Sequence, residues 1–340
     1  MFPYPDFYTP ETVGTVFRVN YADIATAAIS YRSKYGLQSA STDQNKTWLL
    51  LVDVQNTFCI PGFELFVGGR TGMGAVDDNQ RLCEFIYRNL AAITHISATL
   101  DTHMAMQIFH PLFFVNVAGA HPAPYTDIHL EDLLTGKWKF NPDLAHQFGI
   151  TPEYGQRRVI FYTESLAKKG KYALTIWPYH AMLGGIGHAL VSAVEEAIFF
   201  HSVARLSQVQ FEIKGDQPFT ENYSVIGPEV LSGPQGETFG LRNSKFIDQL
   251  KVVDRLIIAG QAKSHCMAWT VSDLLEDIQQ TDPGLAEKVY LLQDCTSPVV
   301  IPGLVDHTAA ADAAYARFAA AGMHLLRSTD ALDDWSQAKV

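Results

Sequence analysis

Short apolar runs rich in leucine and β-branched residues alternate with amphipathic stretches over most of this chain, and that alternation limits the fold more than any other feature. "WLLLVDV" (48–54) reads as a buried strand, "DDNQRLCEFIYRNLAAI" as a helix and "THISATLDTH" as a second strand. Beyond a long middle region come a helix, "HALVSAVEEAIFFHSVARL", and a strand, "VQFEIKG". "RNSKFIDQLKVV" reads as a helix, "RLIIAGQ" as a strand, residues 265–280 as a helix and "KVYLLQD" as a strand. "DHTAAADAAYARFAAAG" and "MHLLRS" close the pattern as helix and strand. Repeated strand–helix–strand units wind with right-handed crossovers, so the expected fold is α/β: a doubly wound, mostly parallel six-stranded sheet with helices on both faces. In such sheets ligands sit beyond the carboxyl ends of the strands, and the residues that follow the strands carry the chemistry.

Two regions fall outside the alternation. Residues 1–45 precede the first strong strand and are expected to form an N-terminal arm; residues 46–340 form one domain. Within it, about 104–175 is too long for an ordinary connection and is read as an insertion that shapes the site. The glycine string "VGGRTGMGAV" has neither Walker A nor dinucleotide-fingerprint spacing, so its glycines are read as turn residues. At 340 residues and 47% hydrophobic the chain can bury a large core, and its formal net charge of −11 argues against a nucleic-acid or anionic-membrane partner. No apolar run approaches the length of a membrane span, and "MFPYPDFYTP" lacks the blocks of a signal peptide, so a soluble cytoplasmic protein is expected, as a homo-oligomer. The four cysteines are widely spaced with no C-x-x-C pair, which disfavours a zinc cage or disulfide framework.

The strand ends supply a constellation. The first strand delivers Asp53, the second Asp101 and His103, "VQFEIKG" delivers Lys214, and "RLIIAGQ" leads into Cys266 where a helix begins. A thiol is a poor nucleophile near neutrality, but a helix N-terminus and a nearby ammonium favour the thiolate. A carboxylate beside both could take the thiol proton and return it to a leaving amine. Asp101 and His103 lie two apart, so on an extended strand both leave on one face; with His180 they would make a three-ligand set suited to Zn, Mn or Fe without choosing among them. His110, His121 and His129, in the insertion, are each either a further ligand or a surface residue, and the surface reading is preferred. Cys59, Cys83 and Cys295 read as small core residues.

"LLLVDVQNTFCIPG", "DTH", "IWPYHAMLGGIGHAL", "EIKG...FTENYSVI" and "IAGQAKSHCMAW", in order over roughly residues 47–326, together resemble the isochorismatase-like cysteine hydrolases, and within them the nicotinamidases and related amidases. The resemblance implies a doubly wound sheet and a catalytic set of Asp53, Lys214 and Cys266. It also implies an oxyanion hole from the amides of Ala262 and Cys266 with a cis bond between Gln261 and Ala262, a metal on Asp101, His103 and His180, and substrate-flanking aromatics at Phe58 and Trp177. The activity implied is hydrolysis of a small, ring-containing primary amide to acid and ammonia through a thioester, with a divalent metal possible and no organic cofactor. Thr57 stands where nicotinamidases have aspartate, and Ala181 where they have cysteine, so the substrate can differ. A carbamoyl or isochorismate-like hydrolase on the same fold, or a non-catalytic binding protein, are the alternatives; the intact Asp53, Lys214 and Cys266 speak against the last.

Overall fold

The computed structural model describes residues 2–330 of the chain; Met1 and residues 331–340, the last of the expected domain, lie outside them. The described residues divide into two compact units, one built from 2–100, 189–212 and 244–330, the other from 101–188 and 213–243.

The first unit carries the sheet, apart from the strand-end residues Asp101, Ile213 and Lys214, which belong to the second. Its elements in chain order are α1 (Tyr21–Tyr35), β1 (Thr47–Val52), α2 (Gly74–Arg88), β2 (His95–Asp101), then, after α3 (Pro152–Lys168) of the other unit, α4 (Ser192–Arg205) and β3 (Gln210–Lys214). There follow α5 (Lys245–Val252), β4 (Arg255–Gly260), α6 (Cys266–Thr281), β5 (Val289–Leu292), α7 (Thr308–Ala320) and β6 (His324–Leu326). The strands order β6-β5-β4-β1-β2-β3, and β6/β5, β5/β4, β4/β1 and β1/β2 pair in parallel. All six strands read from the sequence are present, and the fold is the expected doubly wound α/β sheet.

Every residue of β1 is buried, which explains its unbroken apolar run: a central parallel strand has no solvent face for polar side chains to occupy. Side chains still alternate between faces. Leu49 and Leu51 join a core with Ile24 and Ala28 of α1, Leu82 and Phe85 of α2, and Val194 and Phe200 of α4. Trp48 points the other way, its ring 5.2 Å from Phe246 of α5. The residues read as an arm contribute to that core: Tyr8, Val13, Val19, Ile24 and Tyr31 are all buried, and Phe7 packs 5.4 Å from Phe200. Gly69 and Gly72 of the glycine string take positive φ in the turn leading into α2, as expected of turn residues.

The second unit holds α3 and two short antiparallel ribbons, Phe114–Val115 with Lys139–Phe140 and Asp127–Ile128 with Leu174–Thr175. Its interior is aromatic, with Phe113 lying 5.3 Å from Phe140 and 5.9 Å from Phe219. Arg158 of α3 is fully buried there; its guanidinium donates to the carbonyls of Ser232 and Phe219 and sits 4.3 Å from the Phe239 ring. Among the described residues, no helix is long and apolar enough to cross a membrane.

Candidate active site and metal centre

In the first unit the site grows from two adjacent strand ends. Val52 and Gly260 pair in register, so Asp53 after β1 and Gln261 after β4 leave the sheet side by side, and the Gln261 amide donates to the Val52 carbonyl at 2.8 Å. The approach is so close that a Cβ on Gly260, whose φ is +124°, would lie 2.0 Å from the Val52 oxygen; glycine alone fits. Asp53 is fully buried and holds a left-handed φ of +49°, a conformation that few residues other than glycine adopt and that recurs at functional sites. Thr99 on β2 fixes it twice: the Asp53 amide donates to Thr99 Oγ1 (3.0 Å), and the Thr99 hydroxyl donates to Asp53 Oδ1 (2.5 Å).

The chain beyond β4 turns through Ala262 and enters α6 at Cys266, its first residue. The peptide bond between Gln261 and Ala262 is cis, as expected. The Lys263 amide donates to Ser297 O, the His265 amide to Ala262 O, and the Ser264 hydroxyl accepts from the Val299 amide, lacing this turn to residues 297–299. Cys266 thus stands at the positive end of a 16-residue helix, where thiolate is favoured, in the same unit as a buried carboxylate. Phe58 sits in a short helix, Asn56–Cys59, following Asp53. Next to it the Thr57 hydroxyl donates to Glu64 (3.0 Å), so a carboxylate reaches that neighbourhood from seven residues downstream.

The second unit assembles the other charged residues around Asp101. Its Oδ2 lies 2.7 Å from His103 Nε2 and 3.6 Å from His180 Nε2, and its Oδ1 accepts from Lys214 Nζ (2.9 Å). Lys214 also donates to the Asn222 carbonyl (3.0 Å). Burial pushes the Asp101 carboxyl up, but the His103 charge and the Lys214 ammonium outweigh it and hold it well below the usual range. Burial alone would lower His103, and Asp101 raises it instead; for His180 burial wins and the ring is lowered. The rings reach one place because the chain around His180 runs beside His103: the His103 amide donates to Ala181 O (3.0 Å), and the Leu183 amide donates to His103 O (3.0 Å). Ala181, at φ +49°, is buried at the turn. Gly215 is needed after Lys214, since its φ is +86° and a Cβ would meet Asp101 Oδ1 and His103 Cε1 at 2.8 Å.

This donor set fits a divalent metal. Asp101, His103 and His180 each offer a ligand atom, all within 4.8 Å of one another. His103 Nδ1 donates to Gly215 O (3.1 Å) and His180 Nδ1 to Pro178 O (2.8 Å), which leaves both Nε2 atoms turned toward the carboxylate. Such carbonyl partners fix the tautomer that a metal-binding imidazole needs. Trp177, next to this segment, is buried and donates from Nε1 to the Tyr223 hydroxyl (3.0 Å).

His121 and His129 are exposed as expected, but His110 is not. It is fully buried, donates from Nδ1 to Ala105 O (3.2 Å) and packs 4.7 Å from Tyr179; burial pulls its ring down to about 3. A signal for this existed: His110 sits in "QIFHPLFF", whose flanking residues Ile108, Phe109, Phe113 and Phe114 are all buried, and the Phe109 ring lies 4.8 Å from it. Sequence reasoning also missed Thr99, Asn222 and Gln107, whose amide group donates to Gly215 O. For Thr99 a signal existed, because Thr99, Asp101 and His103 recur at the period of two that puts strand residues on one face.

No family model matches the sequence. No curated protein matches it either. Solved structures do resemble it. A nicotinamidase/pyrazinamidase of Acinetobacter baumanii superposes with a TM-score of 0.50 at 18% identity, covering 85% of this chain and 99% of that one. The yeast nicotinamidase Pnc1p has a TM-score of 0.49 at 17% identity, covering 83% of this chain and 99% of that one.

Proposed function

We propose that this chain, whose fold is that of the isochorismatase-like hydrolases, is a cysteine-dependent amidohydrolase that cleaves a small primary amide to acid and ammonia. The observation that carries the reading is the placing of Cys266 at the start of α6, beyond β4, while the neighbouring strand β1 delivers a fully buried Asp53. A buried carboxylate is costly unless it has work or partners, and a thiol at a helix N-terminus is primed for attack.

In the proposed reaction Asp53 takes the proton from Cys266 as Sγ bonds to the amide carbon. The carbonyl oxygen becomes an oxyanion held by the amides of Ala262 and Cys266. As it collapses, the carbon–nitrogen bond breaks and ammonia leaves with the proton returned by Asp53. Water then attacks the thioester, giving one proton to Asp53; the carbon–sulfur bond breaks, and the proton passes back to the thiolate. Lys214, anchored by Asp101 and Asn222, supplies the fixed positive charge of the catalytic set. Phe58 and Trp177 are assigned the flanks of a ring-bearing substrate. A divalent cation held by Asp101, His103 and His180 would supply a Lewis-acid point that orients a polar atom of the substrate, while bond cleavage stays with the cysteine.

The test is ammonia release over a panel of small aromatic and aliphatic primary amides. Turnover of at least one supports the reading, and none across the panel, with the protein folded, would sink it. The metal assignment has its own check. Protein loaded with Zn, Mn or Fe and then desalted is expected to retain about one equivalent by elemental analysis, and His103→Ala to retain less than about a tenth of that. Equal metal content in the two proteins would remove Asp101, His103 and His180 as ligands.

A further inference from the structure

Asp78, on α2, is a carboxylate buried to 2% exposure that the reaction above does not use. Its Oδ1 accepts from Arg81 Nη2 (2.9 Å), its Oδ2 from the side-chain amide of Gln261 (2.9 Å), and the Ser297 hydroxyl bonds to it as well. Gln261, itself fully buried, is gripped at its other end too, because its Oε1 accepts from the Ser297 amide at 3.2 Å. Arg81 in turn donates to Asp294 O, tying the same cluster to the loop after β5. Gly74, where α2 begins, leaves the room this needs: a Cβ there would lie 2.5 Å from Ser297 Oγ.

These bonds converge on one short piece of chain. Gln261 lies immediately before Ala262, and Ser297 O holds Lys263 from the other side. Both proposed oxyanion donors, Ala262 and Cys266, belong to the turn so clamped. We infer that Asp78 is a positioning residue for the Cys266 reaction, holding the side chain of Gln261 so that the turn 261–266 keeps the geometry in which its amides face the developing oxyanion. The ion pair with Arg81 is short and partly sheltered, the Arg81 side chain being 38% exposed and that of Asp78 3%. Burial pushes the Asp78 carboxyl up against the bonds from Ser297, Gln261 and Arg81, so the site is built around an anion that costs energy to bury. Such an anion, with one of its bonds directed to the residue before the oxyanion turn, fits a role in geometry, since an apolar side chain would fill the same space at less cost.

The inference rests on the proposed role of Cys266, and the experiment separates the two. Asp78→Asn has one acceptor oxygen where the carboxylate had two; keeping it on the charged Arg81 donor turns the new amide group onto that of Gln261, donor against donor. Turnover of the best amide, and acylation by 4-nitrophenyl acetate measured per active site from the burst amplitude, are both expected to fall about 30- to 100-fold in rate, with KM changed less than about threefold, because displacements near 1 Å cost about that much in rate. The double variant Asp78→Asn/Gln261→Glu puts donor against acceptor again and keeps the negative charge in the cluster; it should return to within about threefold of wild type. A rate for Asp78→Asn within about twofold of wild type overturns the inference. So does a loss that Gln261→Glu fails to repair although the double variant melts at the wild-type temperature. Should Asp78→Asn not fold, Ser297→Ala decides instead: it is expected to lose about tenfold in rate at unchanged KM, and an unchanged rate there overturns the inference. A wild-type chain that is acylated by the ester but cleaves no amide sinks the amidase reading and leaves this test standing; one that does neither sinks both.

Discussion

Cys266→Ala is expected to lower amide turnover at least about 10⁴-fold while leaving the melting temperature within a few degrees of wild type, since removing the nucleophile of a hydrolase leaves only the binding and oxyanion contributions. The small volume change at the start of α6 costs little packing, and alanine keeps the amide at position 266. Selective chemistry should identify the same residue. Cys59 and Cys83 are fully buried and Cys295 nearly so, and burial pushes all three thiols up, away from the thiolate. Iodoacetamide followed by mass spectrometry should therefore label Cys266 first, with loss of activity in step. Labelling of another cysteine with activity retained would exclude Cys266 as nucleophile.

Asp53→Asn is the second large effect. Asparagine has the same shape and can still accept the Thr99 hydroxyl bond at its carbonyl oxygen, so the fold and the binding of substrate should survive. What it cannot do is take the thiol proton, and kcat should fall about 10²- to 10⁴-fold with KM little changed. Measuring both constants against thermal unfolding separates the outcomes: a kcat within about threefold of wild type would take the proton-transfer role from Asp53.

The centre of the sheet was legible because β1, β4 and β5 are buried on both faces or nearly so, and a run such as "TWLLLV" has no other stable home; the exposed edge strand β3 was read from its alternation of apolar and polar residues instead. The site residues were legible for a related reason: once strands are placed, Asp53, Asp101, His103, Lys214 and Cys266 all fall at their carboxyl ends. Helices α1 and α3 were not read. In α1 the buried positions are only Ile24, Ala28 and Tyr31, while Ile29 is 60% exposed, so the apolar stripe has little contrast. Helix α3 does open on a clear signal, Thr151 capping the Tyr154 amide with Pro152 at the first position. Its buried face, however, includes Gly155, Arg158 and Thr163, which a hydrophobic-pattern reading scores as solvent-facing. Arg158 can be buried only because carbonyls and an aromatic face some 60 to 80 residues away receive it. Asp78 and Gln261, 183 residues apart, were hidden for the same cause: their meaning is a contact, and a contact between distant residues has no local signature.

The pairing of Val52 with Gly260 has a last consequence. Asp53 and the start of the turn that leads to Cys266 are spaced by the main-chain ladder between β1 and β4, which runs unbroken over six residue pairs from Thr47 and Arg255 to Val52 and Gly260. Their separation is therefore a property of peptide geometry, indifferent to which apolar side chains fill the layers above and below. Core substitutions can soften this protein a good deal before these two strand ends drift apart, because the central pair of a sheet is among the last parts to open when it comes undone.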